Sequence, residues 1–204
     1  EFTVARYNTD GSLDSSFDSD GKVTTTIGSN ADAFSVAIQS DGKIVLAGNA
    51  IIGGRDEIAV ARYNTDGSLD SSFDSDGKVT TTIGEADYAT SVVVQSDGKI
   101  VVAGSSATGG DSNFALIRFN TDGSLDSSFD PAVTPIGSAN DEAYSVAIQS
   151  NGKIIVAGYT INGTNYDFAI TRYNSDGSLD ASFGNGNGIV VTPIGSSNDI
   201  AYDI

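Results

Sequence analysis

The sequence predicts an all-β protein, a β-propeller built from tandem four-stranded antiparallel blades of about 56 residues. A 25-residue segment, VARYNTDGSLDSSFDSDGKVTTTIG, occupies residues 4–28 and returns without a change at residues 60–84. Between turn motifs, each copy offers four apolar segments of strand length and no helix signal. Tandem units of this length are typical of propellers and solenoids.

Two turn motifs set the period of the repeat. The Asn-x-Asp-Gly motif recurs with spacings of 56, 56 and 54 residues, at Gly11, Gly67, Gly123 and Gly177. The Gln-Ser-Asp/Asn-Gly-Lys motif keeps the same step, at Gly42, Gly98 and Gly152. A parallel β-helix is the alternative architecture, but its coils are usually shorter than this period.

The second copy illustrates the four predicted strands, which are GKVTTTIG, ATSVVVQ, KIVVAG and NFALIRF. The continuous apolar run 100–103 predicts a strand that is buried on both faces. The Ser-Asp-Gly-Lys turn before this run predicts a short hairpin in which Gly98 takes a positive φ.

We take residues 1–204 as a single propeller segment and GKVTTTIG as the first strand of each blade. This choice predicts the boundaries of the blades. Residues 1–8 are then the last strand of a preceding blade. Blades follow at residues 9–64, 65–120 and 121–174, and residues 175–204 form a partial blade. Because the chain starts in the middle of a predicted strand, without Met or a signal peptide, we expect it to be an excerpt of a longer polypeptide.

The charge balance restricts the partners. The chain carries 27 acidic and 10 basic residues, a formal charge of -17. Such a chain repels nucleic acid phosphates and anionic lipid, so neither is expected as a partner. It has no His and no Cys, which excludes a Cys/His zinc site and imidazole or thiol catalysis within this chain. No apolar run is long enough for direct membrane insertion.

Four segments, represented by RYNTDGSLDSSF, GKVTTTIG, SVAIQSDGKIVLAG and EIAVARYN, recur with variations in the same order, and they resemble the bacterial delta-60 repeat. The resemblance covers essentially the whole chain and implies a β-propeller in large secreted or surface-attached bacterial proteins, beside adhesion-type modules. It supplies no catalytic residues. Two copies depart from the pattern, since Asp130-Pro131-Ala132 shortens one loop and residues 183–188 lengthen another.

The Asn-x-Asp-Gly loops allow two interpretations. Oxygen ligands at alternate positions beside a glycine turn can converge on calcium, and the candidate metal ligands in the cleanest copies are Asn8, Asp10, Asp14, Asn64, Asp66 and Asp70. The motif departs from an EF-hand loop, because Arg6 and Phe17 stand where acidic ligands are needed. The other interpretation is that Asn and Asp cap their own backbone turns.

An arginine recurs in the last strand of each copy, at Arg6, Arg62, Arg118 and Arg172. A guanidinium in a packed strand needs partners, so we expect a bidentate bond to Asp14 or Asp70 that ties the loop to the sheet. An anion or glycan contact is the alternative.

Two sets of large apolar residues recur near this arginine. We expect the first set to anchor the polar loop on the core; it is Leu13, Phe17, Leu69, Phe73, Leu125, Phe129, Leu179 and Phe183. The second set directly follows each arginine and is predicted to pack, with sugar stacking as the alternative; it is Tyr7, Tyr63, Phe119 and Tyr173.

Together these features predict a non-enzymatic, secreted or cell-surface repeat propeller. It would act as a scaffold, spacer or adhesive module beside other domains of a larger bacterial surface protein. The alternative is a propeller that binds extracellular glycan or protein, with or without calcium, through variable loops at residues 49–52, 105–111 and 159–166. A carbohydrate-active enzyme would need a specialised acidic pair outside this chain, because no acidic pair here differs from its copies.

Overall fold

The computed structural model of the protein describes residues 1–130 and 132–204, so Pro131 of the shortened loop lies outside the described residues. The described residues contain no α-helix, and therefore none that is long and apolar enough to cross a membrane. Their strands are β1 (Phe2–Ala5), β2 (Lys22–Thr25), β3 (Ala31–Ile38), β4 (Ile44–Ile52), β5 (Arg55–Tyr63), β6 (Lys78–Thr81), β7 (Ala86–Val94), β8 (Ile100–Thr108), β9 (Asp111–Phe119), β10 (Ala132–Thr134), β11 (Asp141–Ile148), β12 (Ile154–Asn162), β13 (Asn165–Tyr173) and β14 (Ile189–Thr192).

The strands form three four-stranded antiparallel sheets and one two-stranded sheet. Strands β1 and β2 pair with each other, and each larger sheet joins four consecutive strands in chain order. We call the larger sheets the first blade (β3–β6), the second blade (β7–β10) and the third blade (β11–β14). The all-β class and the four-stranded antiparallel units are as predicted.

The hydrophobic core lies between neighbouring sheets. One cluster joins Val45 and Val60 of the first blade to Val92 and Val102 of the second. Similar clusters join the β1–β2 pair to the first blade and the second blade to the third. Each sheet therefore buries its faces only against its neighbours, as a tandem repeat requires. The predicted run 100–103 is fully buried.

The first strand of each blade lies nearest to the shared axis. Strand β3 contacts β7, and β7 contacts β11, as the first strands of propeller blades do around the axis, so these three are the inner strands. Each carries a β-bulge; in the second blade it falls between Ala89 and Ser91, opposite Gly104. A Cβ at Gly104 would overlap the main-chain oxygen of Tyr88, so only glycine fits opposite the bulge.

The sheets group the strands differently from the predicted blade boundaries. The KVTT strand β6 pairs with the preceding strand β5, with Ile58 opposite Thr81, and is therefore the outer strand of the first blade. The sheets span residues 31–81, 86–134 and 141–192, whereas the predicted boundaries fall after residues 8, 64, 120 and 174. A repeat period gives the length of a unit but not its starting point, and hydrogen bonding decides the latter.

The segments predicted as variable loops are mostly strand. In the first two blades, the predicted third and fourth strands extend up to a two-residue turn that joins them. The turns are Gly53-Gly54 and Gly109-Gly110, and all four glycines have a positive φ. Such turns match the twist of a hairpin and require residues that tolerate positive φ. The predicted positive φ of Gly98 is also observed, at 83°.

Candidate functional site

The recurrent arginine lies in a network of charges that ties each polar loop to its sheet. In the first blade, Arg62 Nε donates to Asp70 Oδ2 at 2.7 Å, and Lys43 Nζ donates to the same oxygen at 2.8 Å. Arg62 and Asp70 are both 4% exposed. We call this group the latch. The second and third blades repeat it, with Lys99, Arg118 and Asp126, and with Lys153, Arg172 and Asp180.

The latch also reaches the next repeat. Arg62 Nη1 donates to the main-chain oxygen of Thr121 at 2.7 Å, and Arg118 Nη1 donates to that of Ser175 at the same distance. The guanidinium of Arg62 lies 4.6 Å from the ring centroid of Phe73, a cation–π arrangement. One side chain thus joins its own loop, its own sheet and the following loop.

The predicted Arg–Asp pair is confirmed, but it is not bidentate. Arg62 gives only Nε to Asp70, because its Nη1 bonds to Thr121 and its Nη2 to Ser72 Oγ at 3.2 Å. The sequence does not show that three partners share one guanidinium, since Thr121 belongs to the next copy.

The latch strongly stabilises the charged form of its aspartate. Burial alone disfavours the Asp70 carboxylate, but the hydrogen bonds from Lys43 and Ser72 outweigh it and hold the pKa of Asp70 well below its ordinary value. The pKa of Asp126 is lowered by the corresponding bonds against the same cost of burial. For Asp180 the hydrogen bond from Lys153 is the main cause of the lowered pKa.

The candidate metal ligands take part in local hydrogen bonds. Asp10 Oδ1 accepts from Ser12 N at 2.9 Å and from Ser12 Oγ at 2.6 Å, and Asn8 Nδ2 donates to Ser12 Oγ at 3.0 Å. Asn64 and Asp66 repeat these bonds with Ser68. The predicted self-capped turn is therefore confirmed.

Two of the six candidates belong to the charge network instead. Asp14 pairs with Arg6 at 2.8 Å, as Asp70 pairs with Arg62. Within residues 1–130 and 132–204, no group of three or more acidic side chains is arranged to hold a metal ion. Calcium binding at these loops stays the alternative interpretation.

The predicted anchors divide into two kinds. Phe17 and Phe73 are fully buried and Phe129 is 1% exposed, whereas Leu13, Leu125 and Leu179 are more than a third exposed. These three phenylalanines therefore anchor their loops, whereas Phe183 is only partly buried. Leu69 is partly buried and packs against the core, as predicted. All four leucines form a backbone bridge with the aromatic residue that follows the arginine, in the pairs Tyr7–Leu13, Tyr63–Leu69, Phe119–Leu125 and Tyr173–Leu179.

The aromatic residues that follow the arginines mostly pack, as predicted. Tyr63 and Tyr173 are fully buried and Phe119 is 1% exposed. The hydroxyl of Tyr63 donates to Thr25 Oγ1 at 2.7 Å, which satisfies its polar end. Tyr7 is the exception, since 62% of it is exposed.

A second feature is an open groove of about 490 Å³ between the inner strands, which we call the axial groove. Its lining is aromatic and rich in oxygen atoms; the residues are Phe34, Tyr88, Thr90, Ser105, Glu142, Tyr144 and Tyr202. Tyr144 packs against Tyr202 with ring centroids 5.2 Å apart, and against Tyr159 at 5.9 Å. Tyr159 in turn stacks on Tyr166 at 4.4 Å.

Carboxylates hold two tyrosine hydroxyls of the groove. Tyr144 donates to Glu142 Oε2 at 3.0 Å, and Tyr88 donates to Asp56 Oδ2 at 2.8 Å across the first two blades. Burial and the Glu142 carboxylate raise the pKa of Tyr144 to about 12. The hydrogen bond to Asp56 raises the pKa of Tyr88. Both hydroxyls therefore stay protonated at neutral pH.

Sequence reasoning missed the axial groove. It predicted binding at the variable loops, of which only Ser105, Tyr159 and Tyr166 contribute to the groove or to the tyrosines beside it. Phe34, Thr90, Tyr144 and Tyr202 occupy one recurring position of the copies, directly after the Ala33, Ala89, Ala143 and Ala201 position. An aromatic residue at three of these four positions was the available signal.

The fold and the latch define a tandem β-propeller whose charged side chains join consecutive repeats. The chain belongs to the DUF5122 β-propeller family, described as a domain of unknown function. The family model matches residues 1–17, 39–73, 95–129 and 149–183, more than half of the chain. The matched segments in the blades contain the latch lysine, arginine and aspartate of each copy.

No curated protein matches this sequence. A crystal structure of a protein of unknown function from Bacteroides caccae, at 1.35 Å resolution, aligns with a TM-score of 0.32 and 11% identity. The alignment covers 91% of this chain and 93% of that chain.

Proposed function

We propose that this chain is a non-enzymatic propeller segment, built of delta-60-type repeats. It serves as a scaffold, spacer or adhesive module of a larger secreted or cell-surface bacterial protein. The latch is the observation that supports this function most. In the three blades, the recurrent Asp, Arg and Lys side chains are paired with one another, so their chemistry is used to hold the repeats together.

The partners of such a module are the other domains of the same protein and the extracellular material that it meets. The charge of -17 supports this, because an acidic surface disfavours nucleic acid and anionic lipid headgroups. We expect neither nucleic acid binding nor direct membrane insertion.

External proteolysis of intact bacterial cells that produce the complete parent protein tests this proposal. An antibody against residues 1–204 follows the repeats, and a cytoplasmic protein serves as the control for lysis. We expect the repeat signal to fall on intact cells while the control stays constant. A repeat signal that falls only after lysis would contradict a secreted or surface location.

The second candidate is a ligand-binding propeller that recognises extracellular glycan or protein, with or without calcium. The axial groove favours the binding part of this candidate, because concave aromatic sites with a few polar groups are typical of ligand sites. The loops support calcium binding less. Their carboxylates already accept hydrogen bonds from neighbouring side chains, at Asp10, Asp14, Asp66 and Asp70.

A further inference from the structure

We propose that the axial groove binds a neutral saccharide, with Tyr144 and Tyr202 as the surface on which a sugar ring stacks and Glu142 as a hydrogen-bond acceptor. The inference rests on the second candidate function and names its ligand class. It does not require the scaffold role, which is tested separately.

The groove exists only in the assembled repeats. One recurring position of the inner strands supplies Phe34, Thr90 and Tyr144 from the three blades, and Tyr202 from the C-terminal segment. This segment is held on the third blade, where Asp199 N donates to the main-chain oxygen of Tyr166 at 2.7 Å. Four copies thus direct one residue each at a common space.

The copies carry different residues at the groove position and similar residues on either side of it. The residue before the groove position is Ala in all four copies, and the residue after it is Ser in the three blades, at Ser35, Ser91 and Ser145. These serines are structural, because Ser35 Oγ accepts from Val92 N at 3.1 Å and Ser91 Oγ accepts from Val146 N at 3.2 Å. The groove position itself is Phe, Thr, Tyr and Tyr.

This contrast separates the groove from the repeating framework. Positions that join one blade to the next keep the same residue type from copy to copy. Two of the copies share a stretch of 25 identical residues. The groove positions have diverged and form one asymmetric lining. A lining of mixed residues within a symmetric framework is what a specific binding site requires.

The tyrosine rings lie in a row and do not enclose a space. Tyr202, Tyr144, Tyr159 and Tyr166 pack in succession, with centroid separations of 5.2, 5.9 and 4.4 Å. Tyr202 is 68% exposed and Phe34 is 60% exposed, so apolar ring surface is available to a ligand. The C–H face of a sugar ring can stack on such a flat apolar surface and buries it from water.

The polar lining complements a ligand that is rich in hydroxyl donors. Glu142, Thr90 and Ser105 present oxygen atoms to the groove, and none of its described lining residues is basic. A carboxylate accepts hydrogen bonds from hydroxyl groups and repels anions. Neutral sugars therefore fit, whereas uronic acids and phosphates do not.

An organic cation would also be attracted by this charge, but ring geometry favours the sugar. Recognition of a quaternary ammonium group uses ring faces that surround one point. Here the rings of Tyr144 and Tyr202 lie directly beside each other, with centroids 5.2 Å apart, and so do not surround a common point. Choline is accordingly the competing ligand in the test.

Intrinsic tyrosine fluorescence of the 204-residue chain provides the readout, because the chain has 8 Tyr and no Trp. The probes are neutral hexasaccharides of glucose, mannose and N-acetylglucosamine, a hexasaccharide of galacturonic acid, and choline. The variants are Tyr144→Ala, Tyr202→Ala and Tyr144→Phe. Tyr7→Ala is the matched control, since Tyr7 is an exposed tyrosine outside the groove.

We expect saturable binding of at least one neutral hexasaccharide and none of the galacturonic acid probe or choline. Tyr144→Ala and Tyr202→Ala should each weaken this binding at least tenfold, while Tyr144→Phe and Tyr7→Ala keep it within threefold. Circular dichroism must show that every variant retains its β-sheet spectrum.

Binding of choline alone, or of no probe, would overturn the inference, as would sugar binding that survives in folded Tyr144→Ala and Tyr202→Ala proteins. A bead adhesion assay distinguishes failure of the saccharide site from failure of the adhesive role. It compares beads coated with the wild-type chain and beads coated with the Tyr144→Ala chain. Equal adhesion of both bead types to extracellular matrix would leave the adhesive module intact and remove the saccharide site.

Discussion

Arg62 Nε donates to Asp70 Oδ2 over 2.7 Å, and both side chains are almost completely buried. The same guanidinium donates to the main-chain oxygen of Thr121 in the following repeat. The pair therefore couples the folding of one polar loop to the docking of the next repeat.

Replacing Asp70 should destabilise the protein strongly. In Asp70→Ala, both Arg62 and Lys43 lose their anionic partner, and an unpaired buried charge costs about 3–5 kcal/mol of the free energy of unfolding. Denaturant unfolding followed by circular dichroism measures the loss. Lys22→Ala is the control, because Lys22 forms only an exposed 3.8 Å pair with Asp20, and its effect should stay within about 0.5 kcal/mol. Equal effects of the two substitutions would contradict a structural role for the latch.

The contribution of Asp70 should depend on pH in one direction. Its pKa in the folded state lies below the ordinary value of 3.8, so its ionisation stabilises the folded state above that value. The stability difference between the wild type and Asp70→Asn should be constant from pH 7 to pH 5 and shrink as the pH falls below about 4. Taking the difference removes the general effect of the net charge. A difference that grows as the pH falls from 7 toward 4 would show that the pKa is raised, not lowered.

Phe73 should contribute more to stability than an exposed phenylalanine. Phe73 is fully buried and lies under the guanidinium of Arg62, so Phe73→Ala should cost about 3–5 kcal/mol of the free energy of unfolding. Phe34→Ala, at a site that is 60% exposed, should change it by less than about 1 kcal/mol. Chemical denaturation of both variants measures the difference, and a cost for Phe34→Ala as large as that for Phe73→Ala would refute it.

The position opposite the β-bulge should accept only glycine. In Gly104→Ala the added Cβ meets the main-chain oxygen of Tyr88, and strain of this kind costs about 1–3 kcal/mol. Thr3→Ala, at an exposed position of β1, is the control. The thermal unfolding midpoint should fall for Gly104→Ala alone. An unchanged midpoint would mean that the inner strand can shift its register without cost.

Calcium should have little effect on stability. The carboxylates of Asp10 and Asp66 cap their own turns, and those of Asp14 and Asp70 pair with arginine. At constant ionic strength, the unfolding midpoints in calcium and in chelator should therefore coincide. Magnesium is the control for general charge screening. A midpoint raised by calcium and not by magnesium would establish metal sites in the Asn-x-Asp-Gly loops.

Local sequence was sufficient for much of the fold. The period, the four strands of each copy, the hairpin at Gly98 and the Arg62–Asp70 pair followed from turn chemistry, apolar runs and the need to pair a buried charge. Each of these depends on residues that are close in the chain or in the repeat. The phenylalanine anchors were recognised for the same reason, although the neighbouring leucines proved to be more exposed than expected.

The sequence by itself thus determined the unit of this protein and the local partners within the unit. Only the tertiary structure decided which strand begins a blade, because β6 can pair with β5 or open the next unit without any change in period. It also decided that Arg62 bonds to Thr121 and that Phe34, Thr90, Tyr144 and Tyr202 meet at one groove. These contacts join different copies, and their geometry follows from the rotation between blades, which no single repeat encodes.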